Sequence, residues 1–518
     1  MPRIAVQFGE WRPDLALLDN QFASEIENVT AGANAYQPFK GLLAFAMTAL
    51  SGRVCGLTAA RKNDGTWKIY AGTTDKLYSW SLAGWVDVSR LAGGAYNVPD
   101  DALWSFAQFG TNLVAVNIND VPQVIDIEAG TNFAALGGSP PQATTVYQLG
   151  DFLVLSGLDA NTRMIQWSAI NDTGGWTAGT NLSDIQEFPD GGPVQGVSGG
   201  EIGYVVQERC IRTMQFLPGD TTYIFNFSRV LHDRGCISKY GYVCIGNNLY
   251  FVAEDGFYAV TGQQVVPIGH DKVDQWFLAN SDRDRRNEIQ AFSFVTAPHI
   301  AWAFHSSSAS HNYDRLIIYD WSNQKWSKAT EEAQVWATSA LSAVALDLDT
   351  TGSEPFDAVL DIPSTSFQTD AFQQNAFQTV VAAYTPAQPL DSFAYAGGRP
   401  LIGGVDEDGF LSALNGPNLP AMLETAEAHP VPGMRTFVSD AYPLVDDASA
   451  GTTVAAATRE RLQDPIVWGQ PVGVEITGSA ALYASARLYR FRVAIPGAVT
   501  WTYAQGVQIE AQQDGSVA

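Results

Sequence analysis

The sequence predicts an all-β protein built on a β-propeller-like domain of six or seven blades. Residues 247–273 contain three short runs rich in Tyr, Phe and Val, separated by an Asp-Gly and a Thr-Gly turn, which is typical of an antiparallel meander. Such a meander needs a second layer, or copies of itself, to cover its apolar face. Comparable strands recur at intervals of 46, 41, 49, 44 and 60 residues, around Tyr78, Val124, Ile165, Met214, Tyr258 and Ile318. Intervals of about 40–50 residues filled with strands indicate four-stranded propeller blades.

Three of these repeats end in a polar turn followed by tryptophan. They are LYSWSLAGW at Leu77–Trp85, IQWSAINDTGGW at Ile165–Trp176 and LIIYDWSNQKW at Leu316–Trp326. The last resembles a kelch blade, in which a strand ends in Asp, a polar turn follows and a Trp packs back. We therefore expect Trp326 to pack back onto its own sheet.

Four regions follow from the pattern along the chain. We expect an N-terminal arm at 1–39 that leads into the first blade, a β-propeller-like domain at 40–345, a low-complexity insert at 346–382 and a C-terminal β-rich domain at 383–518. The arm contains a short helical pattern at Phe22–Glu27, and the propeller contains one good helix candidate, Asp271–Leu278, and a weaker one, Arg283–Gln290. The C-terminal region is predicted to be a sandwich or a last blade with extensions.

The insert contains Phe367, Phe372 and Phe377, spaced by five residues in a Gln-rich background. A spacing of five fits neither the helical period of 3.6 nor the strand period of 2, so the insert is not a regular blade element. Apolar side chains at a fixed spacing either pack against their own subunit or contact a neighbour. These three phenylalanines are our candidate partner-contact residues.

Composition limits the classes of function. The chain has 518 residues, of which 54 are acidic and 29 basic, giving a net charge of −25. This balance argues against a surface that holds DNA or RNA by phosphate contacts. Charged residues are only 16% of the chain, so the remaining surface consists of Ser, Thr, Asn, Gln and Gly, or else much of it is covered by partners. The first residues lack a secretion-signal pattern and no run reaches 18 apolar residues, so we expect a protein without a membrane segment that folds in the cytoplasm.

Glycoside cleavage is the enzymatic alternative for a propeller, and it needs two carboxylates about 5–9.5 Å apart. Pairs such as Asp282/Asp284 and Asp406/Asp408 are expected by chance among so many acidic residues. The NDGTW sequence at Asn63–Trp67 resembles a sialidase Asp-box, but it lacks the leading Ser and occurs once. A neighbouring arginine group is better explained as a solvated face; it comprises Arg283, Arg285 and Arg286. We therefore predict a protein that is not an enzyme, with a glycan-binding or glycan-cleaving, sialidase-like protein as the alternative.

Metal and cofactor motifs give little support to other chemistry. The four cysteines form no CxxC pair and are best explained as buried free thiols. The stretch Asp347–Gly352 resembles the start of a calcium loop, but Ala358 at the twelfth position cannot supply the bidentate carboxylate. A loose surface calcium site is the remaining alternative. His305 follows an apolar run and is predicted to be a packed residue and not a ligand. We predict no catalytic, cofactor-binding or metal-binding residues.

Several stretches, taken in order, resemble a family of tailed-bacteriophage structural proteins, the tail hub or nozzle proteins, also labelled packaged-DNA stabilisation proteins. The stretches are FGEWRPD and NVTAGANAYQPF near the start, RMIQWSAINDTGGW at Arg163–Trp176, FPDGGPVQGVSGGEIGYVVQERCIRTMQF at Phe188–Phe216, DRGCISKYG, LYFVAEDGFYAV and VPIGHDKVDQWF within Asp233–Phe277, DRLIIYDWSNQKWS at Asp314–Ser327, and ARLYRFRVAIPGAVTWTYAQGVQIE at Ala486–Glu510. The Phe-Gln insert at 366–378 departs from this pattern.

The resemblance implies a virion protein of the tail that assembles in the host cytoplasm as a homo-oligomeric, hexameric ring. It implies contacts with the portal and head-to-tail adaptor above and with tail fibres or spikes, and a role in genome ejection. DNA is expected to pass through the ring without specific binding, since a negative wall repels phosphates. A part of a longer tail or a baseplate is the alternative within the same class.

Overall fold

The computed structural model describes residues 3–16, 21–44, 48–81, 84–219, 223–309, 311–337, 341–342, 400–447 and 451–514. Nearly all regular structure in these ranges is antiparallel β-sheet. The predicted all-β class is therefore confirmed. Seven four-stranded sheets follow one another along the chain, and we call them blades 1 to 7.

The first four blades are continuous in sequence. Blade 1 comprises Val54–Arg61, Trp67–Thr73, Leu77–Ser81 and Gly84–Asp87. Blade 2 comprises Ser105–Phe109, Asn112–Val116, Gln123–Asp126 and Ala134–Ala135. Blade 3 comprises Ala143–Leu149, Phe152–Leu158, Asn161–Trp167 and Asp184–Glu187. Blade 4 comprises Val194–Gly199, Gly203–Gln207, Cys210–Phe216 and Phe225–His232.

The last three blades include the predicted meander and the point of ring closure. Blade 5 comprises Tyr242–Ile245, Asn248–Ala253, Gly256–Thr261 and Gln264–Pro267. Blade 6 comprises Gln290–Ser293, His299–Phe304, Arg315–Asp320 and Lys325–Ala329. Blade 7 comprises Ala333–Trp336, Gly403–Asp406, Leu411–Ala413 and, as its outermost strand, Leu43–Ala44.

The first strands of blades 1 to 6 pack side by side in order, and the first strand of blade 7 packs against that of blade 1. Hydrogen bonds reinforce the closure: the side chain of Gln290 in blade 6 bonds the backbone of Trp336 in blade 7 in both directions, at 2.7 and 3.0 Å. Gln334 Oε1 in turn accepts the backbone N–H of Val54 in blade 1 at 2.8 Å. The sheets therefore form a closed ring of seven, as in a β-propeller.

The repeat positions predicted from the sequence fall on equivalent strands. All six lie on the third strand of successive blades, from Tyr78 in blade 1 to Ile318 in blade 6. The meander at 247–273 forms the second, third and fourth strands of blade 5. The recurrence interval of about 40–50 residues thus corresponds to the length of one blade, as expected.

Blade 7 differs from the sequence-based division of the chain. Its strands lie on both sides of residue 345, so the predicted end of the propeller falls inside a sheet. The strand-turn-strand at 401–414, expected in the C-terminal region, supplies two of its strands. Residues 43 and 44 complete the sheet by pairing with Ser412 and Ala413. Pairing of the N-terminal segment with late strands closes the ring non-covalently.

Two further sheets form a C-terminal sandwich that also takes up strands of the N-terminal arm. One sheet comprises Arg3–Gln7, Val29–Ala31, Tyr36–Pro38, Thr436–Val445, Ala480–Ala486 and Ala504–Gln513. The other comprises Ile26–Glu27, Ala421–Glu424, Thr453–Arg459, Val467–Trp468, Val472–Gly473 and Leu488–Ile495. A short ribbon pairs Leu341–Ser342 with Pro400–Leu401. The helix predicted from the pattern at 22–27 is wrong, because Ile26 pairs with Leu423 in a sheet.

One buried apolar cluster joins the sandwich to blades 5 and 6. It includes Leu423 and Phe491 from the sandwich and Phe257 and Trp302 from the blades, all of which are completely buried. The predicted helix candidates lie beside this cluster, between blades 5 and 6, as an α-helix at Asp274–Asn280 and a 3-10 helix at Arg283–Glu288. Sandwich and propeller therefore share a core.

Candidate functional site

The ring encloses a central cavity of about 420 Å³. Its lining comes from the first strands of blades 1 to 6 and adjoining residues, which supply hydroxyl, amide and aromatic groups and one ammonium group. The polar lining residues are Thr58, Ser105, Gln108, Thr145, Tyr147, Ser198, Lys239, Tyr240, Tyr242, Gln290 and Ser293. Such a lining favours hydrogen bonding to neutral groups, and its one charged side chain is that of Lys239.

Half-buried tyrosines of this cavity connect the blades to one another. The hydroxyl of Tyr240 donates to the carbonyl of Leu103 at 3.2 Å and accepts its N–H at 2.8 Å, which joins blade 5 to the segment before blade 2. Burial raises the pKa of Tyr240, so the hydroxyl stays protonated. The hydroxyl of Tyr242 lies where a Cβ on Gly196 would come within 1.6 Å of it. Glycine in the VQGVSGG stretch is therefore required for contact between blades 4 and 5.

The acidic pairs considered for glycoside hydrolysis make local turn contacts. Asp282 accepts the backbone N–H of Asp284 at 3.0 Å and caps the 3-10 helix. Asp406 accepts the N–H of Phe410 and the hydroxyl of Ser412, both at 2.8 Å, within blade 7. These carboxylates hold turns in shape.

The Asp-box-like NDGTW sequence forms the turn between the first two strands of blade 1. Asp64 accepts the N–H of Thr66 at 2.9 Å and its hydroxyl at 2.6 Å. These hydrogen bonds lower the pKa of Asp64 to about 2. Gly65 adopts φ of +88°, a conformation that glycine takes without strain.

Two of the three arginines predicted to form a solvated face are half-buried and engaged. Arg285 Nη2 donates to Glu288 at 2.8 Å and lies 3.1 Å from Nε2 of His305. Burial opposes ionisation of Glu288, but hydrogen bonds from His305 and Arg285 hold its pKa near 2. Arg286 donates to the carbonyl of Leu278 at 2.6 Å. The solvated-face interpretation is therefore wrong for these two residues.

The histidine and cysteines are packed side chains. His305 is buried and stacks on Tyr313 with ring centroids 4.5 Å apart. The cysteines are free thiols; Cys55, Cys210 and Cys236 are buried and Cys244 is half-buried. Burial raises the pKa of Cys236 to about 12, which leaves it as an unreactive thiol.

The arm docks on the helix at 274–280 through the FGEWRPD stretch. Both carboxylate oxygens of Asp14 accept helix N–H groups, one from Gln275 and one from Trp276, each at 2.8 Å. Trp11 is completely buried and meets the Trp276 ring edge-on, with centroids 5.0 Å apart. The two motifs FGEWRPD and VPIGHDKVDQWF are therefore halves of one contact.

A second contact ties the arm to blade 6. Lys328 forms ion pairs with Glu25 and Glu27, and its ammonium lies 4.9 Å from the ring centroid of Trp276. Asn28 Oδ1 accepts the N–H of Thr330 at 2.7 Å. Both contacts join the sandwich to the outer edge of the ring.

The sequence-predicted partner-contact residues Phe367, Phe372 and Phe377 lie outside the described residues. The same holds for the calcium-loop-like stretch 347–352. What is described is the ribbon from which this segment departs and to which it returns, where Leu341 pairs with Leu401. The insert is therefore attached between the first and second strands of blade 7.

Asp274 is buried and was not predicted as a site residue from the sequence. Its Oδ1 accepts the N–H of Phe257 at 3.0 Å, and a Cβ on Gly269 would lie 1.9 Å from the same oxygen. Burial, together with the nearby charge of Asp14, raises the pKa of Asp274 to about 7. The available signal was the Gly-His-Asp-Lys-Val-Asp spacing, which carries no meaning without the fold.

In the described ranges no group of three or more His, Cys, Asp or Glu side chains has a metal-binding arrangement. None of the helices described is long and apolar enough to span a bilayer.

Comparisons with known proteins identify no family for this chain. No protein-family model matches the chain, and no curated protein matches it. Among solved structures, the computationally designed Ika8 protein is 8% identical, with a TM-score of 0.35, and the match covers 71% of this chain and 98% of that one. The extracellular domain of the putative one component system BT4673 from B. thetaiotaomicron is 10% identical, with a TM-score of 0.35, covering 58% of this chain and 39% of that one.

Proposed function

We propose that the chain is a structural subunit of a phage tail, in which copies form a hub or nozzle ring that continues the DNA conduit below the portal and adaptor. Tail fibres or spikes attach to this ring, and the ring serves genome ejection. The proposal begins from the sequence resemblance to such proteins. Its site of action is the virion tail, after assembly in the host cytoplasm.

The observation that carries the proposal is where the resembling stretches lie in the structure and what they contact. FGEWRPD and VPIGHDKVDQWF hold the arm to the propeller through Asp14, Trp11 and Trp276. The Asp-Trp turn of DRLIIYDWSNQKWS places Trp326 in the shared core, where its Nε1 donates to the carbonyl of Ile268 at 3.0 Å. These motifs build one joint between the propeller and the sandwich. A scaffold that transmits load needs such a joint, so the pattern favours a structural role.

The negative net charge of the chain agrees with a role as a component of a DNA conduit. With a net charge of −25, a ring of such subunits repels a passing duplex and disfavours adhesion of its phosphate backbone. A ring formed by rotation uses two different faces of each subunit. The proposal includes a homo-oligomer without specific DNA binding, and the number of six copies is what the sequence resemblance implies.

Reconstitution tests the proposal. The purified chain is incubated with the portal and adaptor of the same phage and imaged by negative-stain electron microscopy, and a ring at the adaptor end is expected. In parallel, the chain is incubated with host surface polysaccharide and released reducing ends are measured. Failure to bind the adaptor together with release of reducing ends would overturn the structural role in favour of the sialidase-like alternative.

A further inference from the structure

A cavity of about 300 Å³ rich in arginine lies where blades 3 and 4 meet. We call it the arginine pocket, and it is lined by Arg163, Pro189, Asp190, Gly191, Gly192, Arg209, Cys210, Arg229, His232 and Asp233. Three of these ten residues are arginine, whereas Lys and Arg together make up 29 of 518 residues. Such a concentration of positive charge is unusual on a strongly acidic chain.

Glycines fix the shape of the loop on one side of the pocket. Gly191 and Gly192 have φ of +82° and +80°, which other residues adopt only with strain. A Cβ on Gly191 would lie 2.6 Å from the Cβ of Cys210. The Gln207 amide clamps the loop by donating to the carbonyls of Asp190 and Gly192 at 2.8 and 2.9 Å. The loop is therefore held in place before any ligand binds.

The charges of the pocket are partly paired within the fold. Arg212, directly behind the lining, and Arg229 face each other on neighbouring strands of blade 4. Like charges in that position repel. Both donate to the carboxylate of Asp190, Arg212 from 2.6 Å. Asp190 is thus fully engaged by two guanidinium groups.

Several donors of the pocket are left for a ligand. Arg209 is exposed and its guanidinium has no hydrogen-bond or ion-pair partner among the described residues. Within the described ranges the guanidinium of Arg163 donates only to the carbonyl of Pro189, at 3.2 Å. Within the same part of the chain, the N–H groups of Gly191 and Gly192 donate to no acceptor. Donors therefore exceed acceptors, and an anion would satisfy them.

We propose that the arginine pocket binds a small hydroxylated anion of about monosaccharide size, carrying a carboxylate or phosphate group. A guanidinium binds either group with two parallel hydrogen bonds. Asp233 and His232 at the rim offer acceptors for hydroxyl groups. The volume fits one such ligand, since it lies at the lower end of the roughly 300–1,000 Å³ of small-molecule sites.

Isothermal titration calorimetry of the full chain tests this proposal with four probes: glucuronate, glucose 6-phosphate, inorganic phosphate and neutral glucose. Binding of the first two, at least tenfold tighter than that of glucose and weakened by added salt, is expected. Arg209→Gln and Arg163→Gln should each lower that affinity at least tenfold. Arg283→Gln, which changes an exposed arginine of the 3-10 helix, should leave it unchanged.

The calorimetric results test binding in the arginine pocket and the contact with hydroxyl groups separately. Equal affinity of the parent chain and both pocket variants, or no binding of any probe, would overturn it. Inorganic phosphate that binds as tightly as glucose 6-phosphate would overturn the contact with hydroxyl groups. Circular dichroism of each variant checks that it folds like the parent, and since both arginines are exposed we expect no change.

Discussion

The carboxylate of Asp14 accepts the backbone N–H of Trp276 at 2.8 Å, although 262 residues separate the two in sequence. The helix at 274–280 has Val273 at its N-cap position, and this residue offers no side-chain cap. The first N–H groups of a helix need acceptors, and here the arm supplies them. Arm and helix therefore stabilise each other.

Removing this cap should loosen both elements. We expect Asp14→Ala to destabilise the joint by about 1 kcal/mol, within the roughly 0.5–2 kcal/mol typical of lost caps. Hydrogen exchange followed by mass spectrometry should show faster exchange at residues 274–280 and in the arm. Asp14→Asn keeps one of the two acceptor oxygens and should exchange at a rate between those of the parent and Asp14→Ala. Unchanged protection in Asp14→Ala would show that the arm does not cap the helix.

Stability should depend on pH through Asp274, whose pKa is raised to about 7 by burial and by the charge of Asp14. Between pH 4 and 7 the folded state holds a proton that the unfolded chain releases. The free energy of unfolding is therefore highest at low pH and falls as the pH rises through this range to about 7. The effect is on the order of 4 kcal/mol. Asp274→Asn removes the titration and keeps an oxygen to accept the Phe257 N–H.

Denaturation midpoints of the parent and of Asp274→Asn, measured from pH 4.5 to 8, check this expectation. The parent should lose stability relative to the variant as pH rises. Asp271→Asn, at an exposed position, serves as a control and should follow the parent. Parallel curves for the parent and Asp274→Asn would contradict the assignment.

The kelch-like turn of blade 6 offers a matched pair of tryptophans. Trp326 is completely buried, with the Tyr319 and Phe257 rings 4.7 and 4.9 Å away, whereas Trp321 is 41% exposed. Trp326→Ala should cost about 3–5 kcal/mol, and Trp321→Ala at most about 0.5 kcal/mol. Denaturant unfolding followed by circular dichroism measures both. Similar losses for the two variants would show that Trp326 does not anchor the shared core.

The phenylalanines of the insert remain a sequence-based prediction. We expect Phe367, Phe372 and Phe377 to be buried on their own subunit or on a neighbour, at roughly 1.5–3 kcal/mol each. Replacing all three by Ser should lower monomer stability in the first case. In the second case the monomer should unfold like the parent but fail to join particles. A variant that folds and assembles normally would refute both.

The sequence was most informative where contacts are local. Aromatic and β-branched runs located the third strand of six blades, and Asp320 followed by a polar turn identified the Trp326 motif. The first two strands of blade 7 are separated by a long insert, so the repeat could not be read there. Its closing strand is only Leu43–Ala44, and two residues carry no periodic signal.

Long-range pairing accounts for what was missed. The segment 22–27 has a helical pattern, but Ile26 is buried beside Leu423 and the sheet overrides local propensity. The arginine pocket has the same origin, since Arg163 and Arg209 belong to different blades and meet only when those blades pack. A chemistry assembled from distant residues has no local pattern.

We propose that this chain forms a ring in a virion tail. Cryo-electron microscopy of purified virions labelled with an antibody fragment against the chain tests it most directly. We predict label on the tail axis below the adaptor, in six symmetric copies with the propeller of each subunit resolved. Virions without label on the tail axis, or with label only on peripheral fibres, would contradict the account.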